Sequence, residues 1–137
     1  MGRISNTVVR KGVVTILVNS APVTALVPAQ SIFGPQPPAL PAWPFIQYGV
    51  AIDVPRRAAC LDGQEIEVAV HCFAKGEEAA SAIGAAVSEA LDGQVITLTS
   101  PHVGTAKIMA TGGQTIVDGT DSNSWHAIRN LRIRVLT

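Results

Sequence analysis

Residues 64–73 read QEIEVAVHCF and residues 76–93 read GEEAASAIGAAVSEALDG, and the change of period between the two stretches decides the fold. In the first, Ile66, Val68, Val70 and Cys72 alternate with Glu65, Glu67, Ala69, His71 and Phe73, the period of two that turns one strand face to a core. In the second, acids stand in the first turn, Ala79, Ile83, Val87 and Leu91 recur along one stripe, and Gly93 supplies a stop. The small residues Ala82, Gly84, Ala85 and Ala86 allow this helix to approach a sheet or another helix closely.

Downstream, residues 94–99 and 105–117 read as extended segments, the second interrupted by Gly112 and Gly113, where a turn or bulge is expected. The polar run DGTDSNS at 118–124 reads as a loop. Residues 125–136 (WHAIRNLRIRVL) form a closing strand with Leu131, Ile133 and Val135 inward and Asn130, Arg132 and Arg134 outward.

Upstream, residues 45–54 (FIQYGVAIDV) read as one strand, ended by Pro55, Arg56 and Arg57. Six of the nine prolines fall between residues 28 and 44, PAQSIFGPQPPALPAWP, where they forbid an interior helix and remove ladder donors. This stretch is expected to be an extended arm, either docked on a partner through Ile32, Phe33, Leu40 and Trp43 or folded on its own core. Residues 4–18 carry a helical stripe of Ile4, Val8, Val14, Leu17 and Val18 that Asn19 and Ser20 stop. Pro22 then opens a short second helical segment ending before Pro28.

The expected class is therefore α+β, a mainly antiparallel sheet of about four or five strands with helices packed on one face. With 137 residues, the chain is expected to be a single domain, 1–137, with an N-terminal helix and a proline-rich arm at about 28–44. A chain of this size buries about two-thirds of its unfolded surface and needs no disulfide for a core.

Composition excludes several partners. Ten Lys and Arg balance ten Asp and Glu, so affinity driven by phosphate contacts is not expected. Aromatic residues make up 4%, too few for a base-stacking platform. The run at 13–18 is too short to span a bilayer, so no membrane role is expected. Cys60 and Cys72 are read as reduced thiols of a cytoplasmic product. Only 15% of residues are charged against roughly 25% in typical domains, which points to a surface partly covered by other subunits.

No catalytic signature emerges. His71 and Cys72 are adjacent on a strand and point to opposite faces, so they cannot form a dyad. His71, His102, His126 and the two cysteines lack any metal-ligand spacing, and no metal or other cofactor is expected. Asp118, Asp121 and Asn123 do not follow the calcium-loop order, and phosphate-binding loops and the serine nucleophile elbow are absent. Glu65 and Glu67 are read as partners of Arg132 and Arg134 across strands, or as solvent-facing.

From about Ile32 to the C-terminus the layout resembles the tail-completion, or tail-terminator, family of long-tailed bacteriophages and gene transfer agents. The residues that carry the likeness are the SIFGPQPP turn leading into WPFIQYG, the strand EIEVAVHCF, the helix EEAASAIGAAVSEAL and the closing strand WHAIRNLRIRV. Phe73 stands where many relatives show a tryptophan, and the proline-rich segment is longer than usual. The resemblance implies a non-enzymatic virion protein that caps the finished tail tube as a hexameric homo-oligomeric ring. It would sit at the tail–head interface after assembly in the host cytoplasm, with the tube protein and a head–tail connector or stopper as partners, and DNA would pass its lumen without specific binding.

A ring needs two different patches on each copy. Phe33, Leu40, Trp43 and Trp125 are the candidate interface anchors, and finishing the protomer core is the competing role for the aromatic three. Arg129, Arg132 and Arg134 are candidates to border the channel or, preferably, to pair with Glu65, Glu67 or a partner's acids, since a strongly attractive lumen would retain DNA. The alternatives are another neck component, a head-closure or connector protein, and a small enzyme using Cys72 with a histidine from elsewhere in the fold.

Overall fold

The computed structural model describes residues 6–39, 41–58, 61–98, 104–117 and 123–136. Helices α1 (Asn6–Val18) and α2 (Ala21–Thr24) precede a single 3-10 turn and strand β1 (Ile32–Phe33). Strands β2 (Phe45–Tyr48), β3 (Ile52–Ala58) and β4 (Leu61–Lys75) follow, then helix α3 (Glu77–Leu91) and strands β5 (Val95–Thr97), β6 (Thr105–Val117) and β7 (Ser124–Leu136). Among the described residues the sheet has seven strands in the order β1-β2-β4-β7-β6-β5, with β3 also pairing β4. Every pairing is antiparallel except β1 with β2.

The α+β class stands, and the expected strand number was too low for two physical reasons. The arm contributes β1, which pairs with β2 from Ile32↔Ile46 to Phe33↔Gln47. The run 45–54 is two strands, because the chain leaves β4 after Gly49, whose N–H still donates to the Ala69 carbonyl at 2.9 Å, and rejoins it at Ile52. Both strands lie end to end along the same side of β4. Nor does Pro55 end β3. Alternation from the Gly49–Ala69 bond gives residues 52, 54 and 56 the bonds to β4, so Pro55 faces the free edge, where its missing donor costs the ladder nothing.

The core lies between the sheet and the helices. Ile66, Val70 and Cys72 of β4, Ala127 and Ile133 of β7 and Ile108 of β6 are fully buried on that side. From α1 the residues Val9, Val13 and Leu17 join them, four apart. The expected stripe on Val8, Val14 and Val18 is only partly buried, and Ile4 lies outside the described residues. The valine pairs at 8–9 and 13–14 make two rotations almost equally apolar, and Gly12 selects one. A Cβ there would sit 2.8 Å from Ile96 Cδ1, so the helix meets β5 through its missing side chain. In α3 the buried set is Ala80, Ile83, Gly84, Val87 and Leu91, while Ala79 is exposed. Each fully buried Leu or Ile stabilises this layer by about 1.5–3 kcal/mol.

Two ties fix the ends of α3 on the sheet. The Gly76 N–H donates to the Asn123 carbonyl at 2.8 Å, and Asp92 Oδ1 accepts from the Ala110 N–H at 2.9 Å. Just beyond Ala110 the register of β6 against β7 shifts by one residue, as the Gly112–Gly113 pair led us to expect, with Gly112 at φ +128. At Gly113 the two backbones approach so closely that a Cβ would run into the Ile128 carbonyl oxygen. Most of the polar run 118–124, together with Leu40, Cys60 and His102, lies outside the described residues. Gly113→Ala is expected to destabilise the fold by about 1–3 kcal/mol or more, because backbone rather than a flexible side chain must give way. Chemical denaturation against wild type measures it.

Candidate functional site

With α1 and α3 on one face, the odd-numbered residues of β4 and the even-numbered residues of β7 make up the other. At one end of that helix-free face Phe45, Phe73 and His126, directly opposite one another on β2, β4 and β7, form a stack. The ring centroids are 4.5 Å apart for Phe45–Phe73 and 4.2 Å for Phe73–His126, with interplanar angles of 15° and 18°. Trp43 stands edge-on to Phe45 at 5.4 Å and to Phe73 at 5.6 Å, and Phe33 leans on Phe45 at 6.1 Å. Lys75 Nζ lies 4.4 Å from the Trp43 ring centre and donates to Ser124 Oγ at 2.7 Å. Such aromatic contacts are worth about 0.5–1.5 kcal/mol each beyond the area they bury, so this end of the face is rigid.

His71 Nδ1 and His126 Nε2 are 2.6 Å apart, one ring donating and the other accepting. Half-burial holds His71 below its ordinary pKa of 6.5, which keeps the neutral ring that the contact needs. Its chain neighbour Cys72 points the other way, into the core, and is fully buried. Burial pushes that thiol up to about 12, against a smaller opposing pull from Arg129. The nucleophile reading therefore lacks its thiolate, and the histidines among the described residues, His71 and His126, lie on the opposite face from Cys72. Among the described residues no group of three or more His, Cys, Asp and Glu gathers as metal ligands would. No helix among them is long and apolar enough to cross a membrane.

The other end of the face is charged, with the acids Glu65 and Glu67 beside the bases Arg132, Arg134 and Lys107. Glu65, with its side chain 1% exposed, lies 3.7 Å from Arg132 Nε, and Glu67 lies 3.6 Å from Arg132 Nη2. Arg132 is 42% exposed, and both contacts exceed hydrogen-bond length, so attraction between charges rather than directional bonding holds them. Arg134 stands opposite both Glu65 and Lys107. Between the two ends a shallow groove of about 400 Å³ is lined by Val50, Ile52, Ala69, Asn130 and Arg132.

The structure thus brings Phe33 and Trp43 together, half-buried in one aromatic cluster, and Arg132 and Arg134 together at the opposite end of the same face. Trp125 is elsewhere, opposite Ala74 and packed against the core on the helix side. Arg129 is also on the helix side, its guanidinium so close to α3 that a Cβ on Gly84 would lie 2.7 Å from Nε. Leu40 lies outside the described residues. Sequence reading missed the Phe45–Phe73–His126 stack and the His71–His126 contact, since both depend on the register of three strands far apart in the chain. The placement of Arg129 was readable: a period of two that turns Leu131 and Ile133 inward turns residue 129 inward too.

Residues 11–136 match the family described as Tail completion protein gp17. Among solved structures, a chain of the virion of a native gene transfer agent particle superposes with a TM-score of 0.79. It is 20% identical, with 96% of this chain and 98% of that chain covered, a likeness of fold. Searching the curated proteins finds no match.

Two outcomes follow from the site's chemistry. Cys72 is expected to resist alkylation at neutral pH in the folded protein and to react on unfolding, as mass spectrometry after iodoacetamide treatment, with and without denaturant, would record. Because the folded-state pKa of His71 lies below its unfolded value, the unfolded chain takes up that proton first as pH falls. Its contribution to stability is fully present above about pH 6.5 and is lost as pH drops through that value toward the folded pKa. The Tm of wild type should fall faster than that of His71→Gln between about pH 7 and pH 5.

Proposed function

This chain belongs to the Tail completion protein gp17 family, and from that premise we propose that copies of it close into a hexameric ring on the finished tail tube and join it to the head connector or stopper. As a member it is a structural tail-completion protein of phage-type tails and not an enzyme. The observation that carries the reading is the extent of the family match, which takes in the sheet and α3 in full and most of α1. Tube subunits stop adding because the ring presents a tube-like surface on one side and a different one on the other. Its site of action is the tail–head joint of the virion, reached after assembly in the host cytoplasm.

The physical properties of the chain support this. Among the described residues His71 and His126 are held against each other and the aromatic stack, Glu65 and Glu67 lie beside Arg132, and the only cysteine is buried with its thiol pushed up to about 12. On the helix-free face Glu65 and Glu67 are set beside Arg132 and Arg134, so that part of the positive charge is offset by acids of the same chain. Phe33, Trp43, Arg132 and Arg134, all on that face, are the candidate contacts with partner chains.

Mixed with purified tube and connector proteins, the chain is expected to form rings, to cap tubes at one end and to recruit connector. Analytical ultracentrifugation and electron microscopy of labelled protein read the result. A chain that stays monomeric at every concentration and binds neither partner sinks the proposal, and label on the connector side alone assigns it to head closure instead.

A further inference from the structure

We propose that the free edge of β6, residues 111–117, pairs with β3 (Ile52–Ala58) of a second copy, so that one sheet continues from copy to copy around the ring. This deepens the ring reading above and rests on it.

The edge is uncovered from a definite point. On the side away from β7, β6 is bonded by β5 and the turn before it: the Ile108 N–H donates to the Gln94 carbonyl, and the Ala110 N–H to Asp92 Oδ1. Past Ala110 no backbone bond among the described residues reaches β6 from that side, and the one side-chain bond there comes from α3, Ser81 Oγ donating to Thr115 Oγ1 at 3.3 Å. Thr111 to Gln114, Ile116 and Val117 are all exposed. Alternation of the ladder, carried across the bulge, aims the N–H and C=O groups of Gly113, Thr115 and Val117 outward. Bonded to water in an isolated copy, a row of such groups is a template for another extended backbone, and natural edges are commonly guarded by charge, proline or shortness, or by a bulge such as the one at Ala110/Gly112 that begins this edge. The sequence TGGQTIV at 111–117 has neither charge nor proline.

The chain carries one fitting strand. β1 has two residues and β5 three, whereas β3 has seven, and among the described residues β4 is the one strand it pairs with. Direction agrees as well. The order β3-β4-β7-β6 alternates strand by strand, so a neighbour related by rotation about the ring axis brings β3 antiparallel to β6. The heterologous contact that results is the kind that closes rings.

Register follows from parity. The outward-facing residues of β3 are Asp53, Pro55 and Arg57, and setting them against the outward-facing Val117, Thr115 and Gly113 overlaps residues 53–58 with 112–117. Pro55 still accepts through its carbonyl, so a single bond of the seam is lost. Position 54 then neighbours Ile116 and position 56 faces Gln114, both on the helix-free side, which leaves the helices of all copies on the same face. A slip of one residue would reverse this. Val50, 82% exposed, and Ile52, 62% exposed, lie at the end of β3 that meets the exposed Ile116 and Val117. β3 sits at the Gln64 end of β4 and the bare half of β6 at the Lys75 end, so successive copies step along the strands, the stagger that closure of a sheet requires.

The test is oxidative cross-linking of Arg56→Cys with Gln114→Cys in a Cys60→Ser background under assembly conditions. A ladder of covalent multimers that requires both cysteines is expected. Rings that form without the cross-link overturn the seam and leave the ring reading standing, whereas persistent monomer removes both. A covalent dimer from Gln114→Cys alone would show β6 edges meeting each other and would also overturn it. As a second measurement, Thr115→Pro deletes an outward donor without touching the ladder to β7, and Thr115→Val, which like it loses the hydroxyl contact with Ser81 but keeps the N–H, is the control expected to associate as wild type does. The proline variant is expected to weaken self-association roughly tenfold or more while the circular dichroism spectrum is kept. Unchanged association of that folded variant counts against the seam.

Discussion

The constraint on which the rest depends is the register of β4 against β7, twelve paired residues from Gln64↔Val135 to Lys75↔Ser124. Side chains alternate along both strands, so this one register decides what shares a face with what. It sets Ile66 opposite Ile133 and Val68 opposite Leu131 under α3, and Phe73 opposite His126 and Glu67 opposite Arg132 on the other side. Moving it by one residue would bury Glu67, His71 and Arg134 and expose the centre of the core. Burial therefore enforces the register, and the register in turn assembles the aromatic stack, the histidine contact and the ion pairs.

How much of this was legible depends on the range over which each signal acts. The alternation in 64–73 is a local property of a strand buried on one side, and the structure follows it residue by residue. The helix at 77–91 was as plain, but which alanine of the first turn faces inward was not, because Ala79 and Ala80 differ only in what the neighbouring strands present. Pro55 misled because a proline ends a strand only where its N–H is needed, and that depends on pairing parity with β4. The aromatic cluster drew on Phe33, Trp43, Phe45, Phe73 and His126, spread over most of the chain. Nothing in the composition around any one of them announces the others.

Paired with the register is an uneven treatment of the two faces. The helices bring small residues to the sheet, Gly12 at Ile96 and Gly84 at Arg129, so that side closes tightly. Tyr48 marks how dry it is: the residue is almost wholly buried, and burial pushes its phenol up to about 12 despite the opposing charge of Arg10. The opposite face has no second layer among the described residues, and its side chains meet one another laterally, ring on ring and acid beside base. A face finished in this way needs no cover to be stable, yet it is stiff and patterned enough to be recognised.

Area joins the fold to its role. The accessible surface is 7556 Å², about a tenth more than the roughly 6,800 Å² that the scaling for compact monomers gives for this mass. A standard interface covers about 800 Å² per partner, so two neighbours in a ring would remove about a fifth of that surface. The low content of charged residues then has a physical reason. Charge keeps isolated copies apart, and in the proposed ring, with a neighbour on either side, backbone edges and apolar side chains would become satisfied together on assembly.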